Sequence, residues 1–183
     1  LFSERQRLAL ARSVSAEKWI QRRIERELLQ RKEKGLPKTV HIDGFNMIIT
    51  LEVALSGSPV FYCRDKVVRD LAGLRGTYHI IDQTKMAVEL VLGYLDTLGI
   101  PEACFYLDAP VSNSGRLSGL ILECAGNHHI SVQTQIIPDV DRVLEQLESV
   151  ISGDAIILNR CVSWLNIMPE ILRQIENVWK IQL

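Results

Sequence analysis

Apolar residues recur along the chain in two rhythms, and the rhythm changes from segment to segment. Between residues 3 and 34, Leu8, Ala11, Val14, Trp19, Ile20, Ile24 and Leu28 return at three-to-five-residue spacing with charges between them. That spacing predicts one helix, stopped by Gly35 and Pro37. The run "TVHID" (39–43) then reads as a buried strand. It ends at Asp43-Gly44, but no second alternating strand follows, as a hairpin would require. Met47, Ile48, Ile49, Leu51, Val53 and Leu55 follow instead and predict a helix over 46–55. Ser56-Gly57-Ser58-Pro59 is a loop, 60–63 a short strand, and 65–72 a short helix before a Gly-bounded turn. Residues 83–98 are amphipathic at helical spacing and close on Gly99 and Pro101. A strand over 103–107 ends in Asp108, and Ser112 or Ser114 caps a helix running to about residue 125. "ISVQTQII" (130–137) alternates as a strand, and Asp139 caps a helix over 140–149. A strand over 155–158 and a helix over 167–178 complete the pattern. Strands alternating with helices predict an α/β fold, a three-layer α/β/α sandwich around a mostly parallel sheet. The division expected is a basic helical arm (1–38) and an α/β domain (39–183).

The polar positions that interrupt this pattern carry the candidate chemistry. Asp43 and Asp108 each end a predicted strand, and Asp141, with Asp139 beside it, opens a helix that follows another. Asp154 stands just before the predicted strand over 155–158 rather than after one. Parallel strands bring their C-terminal ends to one edge, where ligands bind in open α/β sheets. Taken singly, each Asp is a helix cap or turn residue. Gathered on one edge, they repel one another unless a cation neutralises them. Oxygen-only donors suit Mg²⁺ or Mn²⁺, and such an ion supports phosphodiester hydrolysis.

Charge sharpens the picture. Residues 1–38 carry 11 Lys and Arg against 5 Asp and Glu, a surplus of +6, whereas residues 39–183 carry 10 against 17, or −7. A basic arm on an acidic body suits an anionic partner that the body would repel, nucleic acid above all. The plainer alternatives are a solvated helix, an arm that packs on its own acidic body, or a homo-oligomer formed through the stripe that includes Trp19, Ile20 and Ile24. No apolar run reaches the ~18 residues that a membrane span needs, and the first residues lack a signal-peptide pattern. The four cysteines, Cys63, Cys104, Cys124 and Cys161, are far apart, so buried free thiols in a cytoplasmic protein are expected and a structural zinc site is not. Neither a P-loop nor a dinucleotide fingerprint is present.

"VHIDGFNMII" resembles the first motif of the PIN-like and NYN nuclease superfamily: an apolar strand, Asp, and Asn three residues on. "DVDRVLEQLESVISGD" is similar to the later block of that superfamily, with Asp141 opening a helix and Ser152-Gly153-Asp154 following it. Asp108 after "CFYL" takes the place of the middle-strand acid. More closely, "DGFNMIITLEVALSG", "RDLAGLRGTYH" and "DAPVSNSG" resemble an uncharacterised prokaryotic family, a domain of unknown function, over most of residues 3–175. The superfamily resemblance implies a PIN-like domain with Asp43, Asp108, Asp141 and Asp154 as catalytic metal-site carboxylates for Mg²⁺ or Mn²⁺. It implies that Asn46 orients the first turn or touches the scissile phosphate and that Ser152 bonds a carboxylate or metal-bound water. RNA or single-stranded nucleic acid is the implied substrate. Two departures point to an alternative, a decayed binding or protein-interaction module. Ala155, Ile156 and Ile157 stand where a second acid is common, and Asn159 stands where relatives of the closer family often carry Asp.

Other residues complete the set. Ser112, Asn113, Ser114 and Arg116, at a helix start beside Asp108, could hold a phosphate; an ordinary capped loop is the alternative. Glu52 is either a further site acid or a surface residue. Arg64, Arg69 and Arg75, with Tyr78 and His79, form a basic and aromatic set suited to single strands, or ion pairs with Asp65, Asp70 and Asp82. His128 and His129 read as a turn, His41 as a packed histidine, and Trp19, Trp164 and Trp179 as packing residues.

Overall fold

A computed structural model describes residues 3–29, 35–73 and 76–183. The single N-terminal helix expected over 3–34 is two helices, α1 (Glu4–Ser13) and α2 (Glu17–Arg26), with residues 30–34 outside the described set. Ser3 caps α1 by a reciprocal pair of bonds with Gln6, and the β-branched Val14 takes extended backbone where the helix stops. The chain continues through β1 (Thr39–Asp43), α3 (Gly44–Leu55), β2 (Val60–Tyr62), β3 (Val68–Arg69), α4 (Asp82–Leu98) and β4 (Glu102–Asp108). Then come α5 (Ser114–Ala125), β5 (Ser131–Ile137), α6 (Val140–Leu144), β6 (Val150–Ile151), α7 (Ala155–Arg160), α8 (Met168–Ile171) and β7 (Lys180–Gln182).

The central sheet has the order β5-β4-β1-β6 and every pairing in it is parallel. The two-residue period of each strand divides the core in two. Val40, Ile42, Phe105, Leu107 and Ile151 join one apolar cluster with α3, α4 and α5. Their neighbours Cys104, Tyr106 and Val150 join the other, with Val140, Leu144, Ile157 and Leu158 of α6 and α7. Helices therefore flank both faces, as the alternating pattern predicts. A small second sheet, β3-β2-β7, lies apart from the first. All four cysteines are buried and unpaired. Among the described residues no helix is long and apolar enough to cross a membrane.

Four further expectations change. Residues 65–72 are not helical: Cys63–Val67 is a turn with Lys66 at positive φ, and Val68–Arg69 pairs antiparallel with β2. Buried Asp65 favours that turn, because its carboxylate accepts from the Val67 amide and from Arg69. The strand expected over 155–158 is helix α7, and the sheet is continued by Val150–Ile151 instead. The helix choice is local: Asp154 Oδ1 accepts from the Ile156 and Ile157 amides at 2.6 and 3.2 Å, a helix N-cap. The helices expected over 140–149 and 167–178 are shorter, ending at Leu144 and, after a 3₁₀ turn, at Gln174.

The N-terminal segment docks on the body. Ile20 is buried, and so is Arg23, whose guanidinium pairs with Asp65 and donates to Asn159 Oδ1 at 2.7 Å. Trp164 Nε1 donates to the Arg23 carbonyl at 2.7 Å. Part of the stripe considered for self-association is thus covered by the chain's own body.

Candidate functional site

The C-terminal edge of the sheet is a cleft of about 270 Å³ lined by Asp43, Asp108, Asp141 and Asp154, with Asn46 and Arg12 beside them. Four separate segments deliver the four acids. Asp43 is the last residue of β1 and the cap of α3; Asp108 is the last residue of β4. Asp141 lies in the first turn of α6, after β5, and Asp154 caps α7, after β6. Correcting the strand to 150–151 puts Asp154 after a strand, like the others.

The turn from β1 into α3 is tight, and Gly44 makes it possible. A Cβ there would lie 2.6 Å from Leu107 Cδ2 and 2.9 Å from the Tyr106 carbonyl, so only glycine brings Asp43 this close to β4. The loop carrying Asp154 is pinned to the same turn. Gly153 N donates to Asn46 Oδ1 at 2.7 Å, and Ser152 Oγ donates to Asp43 Oδ2 at 2.7 Å. Ser152 Oγ also accepts from the Asp154 amide at 3.0 Å. Asn46 and Ser152 therefore fix the relative positions of Asp43 and Asp154.

The electrostatics are those of crowded, half-dry carboxylates. Burial, then repulsion from Asp141, Asp154 and Asp108, pushes Asp43 up to about 7, against the opposing bond from Ser152. Burial, with Asp154 and Asp108 nearby, pushes Asp141 up to about 6. Asp108 is also raised, by burial first, although it accepts from the Val140 amide at 3.3 Å. Asp43, Asp108 and Asp154 each spend one oxygen on the fold and keep the second. Among the described residues no group of three or more His, Cys, Asp and Glu is gathered closely enough to form a finished metal site. Mg²⁺ does not need one: it keeps several waters and is commonly held by one or two carboxylates. The donor set and its raised proton affinities fit a hard divalent cation.

The remaining candidates go elsewhere. Ser112 exchanges hydrogen bonds with the Tyr78 backbone, donating to its carbonyl at 3.1 Å and accepting from its amide at 2.9 Å, and Asn113 Nδ2 donates to the same carbonyl at 2.7 Å. Asn113, not Ser112 or Ser114, occupies the cap of α5, at positive φ; Ser114 is buried and Arg116 exposed. None of these four lines the acidic cleft. Glu52 is neither a site acid nor a surface residue: it is buried and accepts from Tyr78 Oη and Thr84 Oγ1 at 2.6 and 2.5 Å. Asn159 serves Arg23 and is absent from the cleft lining, so its amide says nothing about the acids there. Asp139 caps α6 through the Arg142 amide.

The basic and aromatic set disperses. Arg69 is buried on Asp65, Arg64 reaches Glu17, Tyr78 is buried, and Arg75 lies outside the described residues. His41 meets Tyr106 Oη at 3.1 Å, and Trp179 is exposed rather than packed. His128 lies between Glu89 and Asp96. Two cleft residues escaped the sequence pattern. Arg12 carries no local signal beyond charge, and Asp70 follows an apolar pair, Val67-Val68, that reads as part of a helix.

Residues 33–170 match the family described as a domain of unknown function, DUF5616. The chain belongs to this family. A relative, the uncharacterized protein MJ0935 of Methanocaldococcus jannaschii, is 34% identical over 156 residues, covering 85% of this chain and 74% of its own length. No solved structure matches. The family's matched segment holds all four cleft aspartates together with Asn46, Ser152 and Gly44, while α1 and α2 precede it.

Proposed function

We propose that this protein is a divalent-cation-dependent phosphodiesterase of PIN-like architecture that cleaves RNA or another single-stranded nucleic acid. The observation that carries the reading is the arrival of four aspartates, from four chain segments, in one cleft at the C-terminal edge of a parallel sheet. Asp43, Asp108, Asp141 and Asp154 would hold Mg²⁺ or Mn²⁺, which when bound activates water and offsets charge on a phosphoryl group. Ser152 orients Asp43 by donating to it, and Asn46 holds the Gly153 loop so that Asp154 faces the same space. Burial of Asp43 and Ser152 restricts water on their side of the cleft and strengthens the charge interactions there.

A 5′-labelled single-stranded RNA incubated with Mn²⁺ tests the reading. The wild-type chain is expected to cleave it, and Asp43→Asn together with Asp154→Asn to reduce the rate at least ~100-fold. Equal rates for the two proteins would contradict it.

A second reading is a nucleic-acid-binding or protein-interaction module whose cation site has decayed. It is favoured by Ala155, Ile156 and Ile157 in the first turn of α7, where no acid follows Asp154. It predicts RNA binding without saturable Mn²⁺ binding.

A further inference from the structure

The acidic cleft adjoins a second recess of about 220 Å³, whose lining includes Ala155 and Ile156 of α7 and Ala11 of α1. Arg12, Asn46, Asp70 and Asp154 line both spaces. Arg12 is the cation in the lining of the acidic cleft, and it stands where the two spaces meet. Arg69, which lines the second recess, is spent on Asp65 and the Gly153 carbonyl.

Arg12 is held by one end. Its Nη1 donates to the Asp70 carbonyl at 2.7 Å and to Asp70 Oδ1 at 3.2 Å. Asp70 is itself fixed, since Oδ1 accepts from the Ala72 amide at 2.7 Å and Oδ2 from Thr50 Oγ1 at 2.6 Å. The guanidinium is partly exposed, and its Nε and Nη2 edge makes no hydrogen bond with described residues. That edge offers two parallel N–H donors, the fork that takes a phosphate in a bidentate grip. An anchored guanidinium also loses less freedom on binding than a loose one. The charge balance requires some such group: cleft carboxylates repel a polyanion, and a cation bound among them offsets only the phosphate it touches.

We infer that Arg12 grips the backbone phosphate next to the scissile one, so that a single strand crosses from the acidic cleft into the recess beside α7. The inference rests on the phosphodiesterase reading. It assigns to α1, which lies outside the matched family segment, a part of the substrate site.

The test is fluorescence anisotropy of a fluorescein-labelled single-stranded RNA with the full chain, carried out without divalent ions in an Asp43→Asn background. Adding Arg12→Gln is expected to weaken Kd about 10-fold, and to lower the slope of log Kd against log salt by about 0.7, because one fewer phosphate of a single strand is neutralised. Arg12→Lys is expected to restore the slope and part of the affinity. A purely structural role in holding α1 would shift Kd and leave Lys unable to restore it. An unchanged Kd and slope in Arg12→Gln, while the wild-type chain still cleaves RNA, would overturn the assignment of Arg12 alone. Neither binding nor cleavage by any of these proteins would overturn the phosphodiesterase reading together with it.

Discussion

Asp43 is asked to carry a charge in a place that resists it. Its carboxylate is buried, faces three other acids, and has one hydroxyl, from Ser152, in its favour. Its proton affinity rises from the usual 3.8 to about 7, so the folded protein without cations prefers it protonated. The sign follows from linkage. The unfolded chain ionises this group near pH 4 and the folded chain does not, so stability falls as pH climbs from about 4 to about 7. Asp43→Asn removes that penalty and keeps an acceptor for Ser152. Without divalent ions the variant is expected to melt above wild type at pH 8, by the equivalent of about 1–4 kcal/mol, with the gap closing by pH 4. Thermal melts across that range check it; a variant less stable than wild type at pH 8 would contradict the raised proton affinity that burial, and then the neighbouring acids, give Asp43. A fold that tolerates such strain at one edge is often preserving a site there.

At the scale of elements, the pattern of apolar residues was legible wherever a segment was long and its rhythm unmixed. Strands β1, β4 and β5 and helices α3, α4 and α5 fall within a residue or two of their expected bounds. The failures share a cause. "AIIL" at 155–158 is apolar enough for a strand, but two amide bonds to Asp154 decide for helix, and the sheet takes the two-residue β6 that no window detects. The segment 65–72 is decided by a buried ion pair between Asp65 and Arg69, which spacing alone cannot distinguish from a helical i, i+4 pair. Asp43 and Asp108 were legible because strand ends in a parallel sheet share an edge, and Asp141 because it opens the helix after β5. Asp154 was carried by the motif it resembles, since the strand expected over 155–158 put it before a strand; Arg12 was not legible, because it reaches Asp70 from 58 residues away.

Two ties between elements can be tested. His128 lies between Glu89 and Asp96 of α4, 2.8 Å from each, and despite burial these two bonds raise its proton affinity. The group therefore contributes stability at pH below 6.5, lost as pH rises through its folded value. His128→Ala is expected to lower the melting temperature more at pH 6 than at pH 9; an equal loss at both would mean the tie is packing, not charge. Arg23 ties α2 to the body through Asp65 and Asn159. Arg23→Met leaves Asp65 with Arg69 as its one cation partner among the described residues and is expected to cost about 3 kcal/mol in urea denaturation, with unchanged stability counting against a structural role.

For the molecule as a whole, the opposed charges of the two halves acquire a physical use. Arg12 and Arg23 of the basic segment meet Asp70 and Asp65 of the acidic body, so the segment is not simply an arm spread in solvent. Four further acids of the body meet at the strand ends, in the cleft. Calorimetric titration of the full chain with Mn²⁺ at pH 6.5, in two buffers of different ionisation enthalpy, tests that most directly. The account predicts saturable binding with proton release, because a cation must displace the proton that Asp43 holds near neutral pH, and loss of that binding in Asp43→Asn with Asp154→Asn. Heats that do not saturate, or that are the same in the double variant, would contradict it.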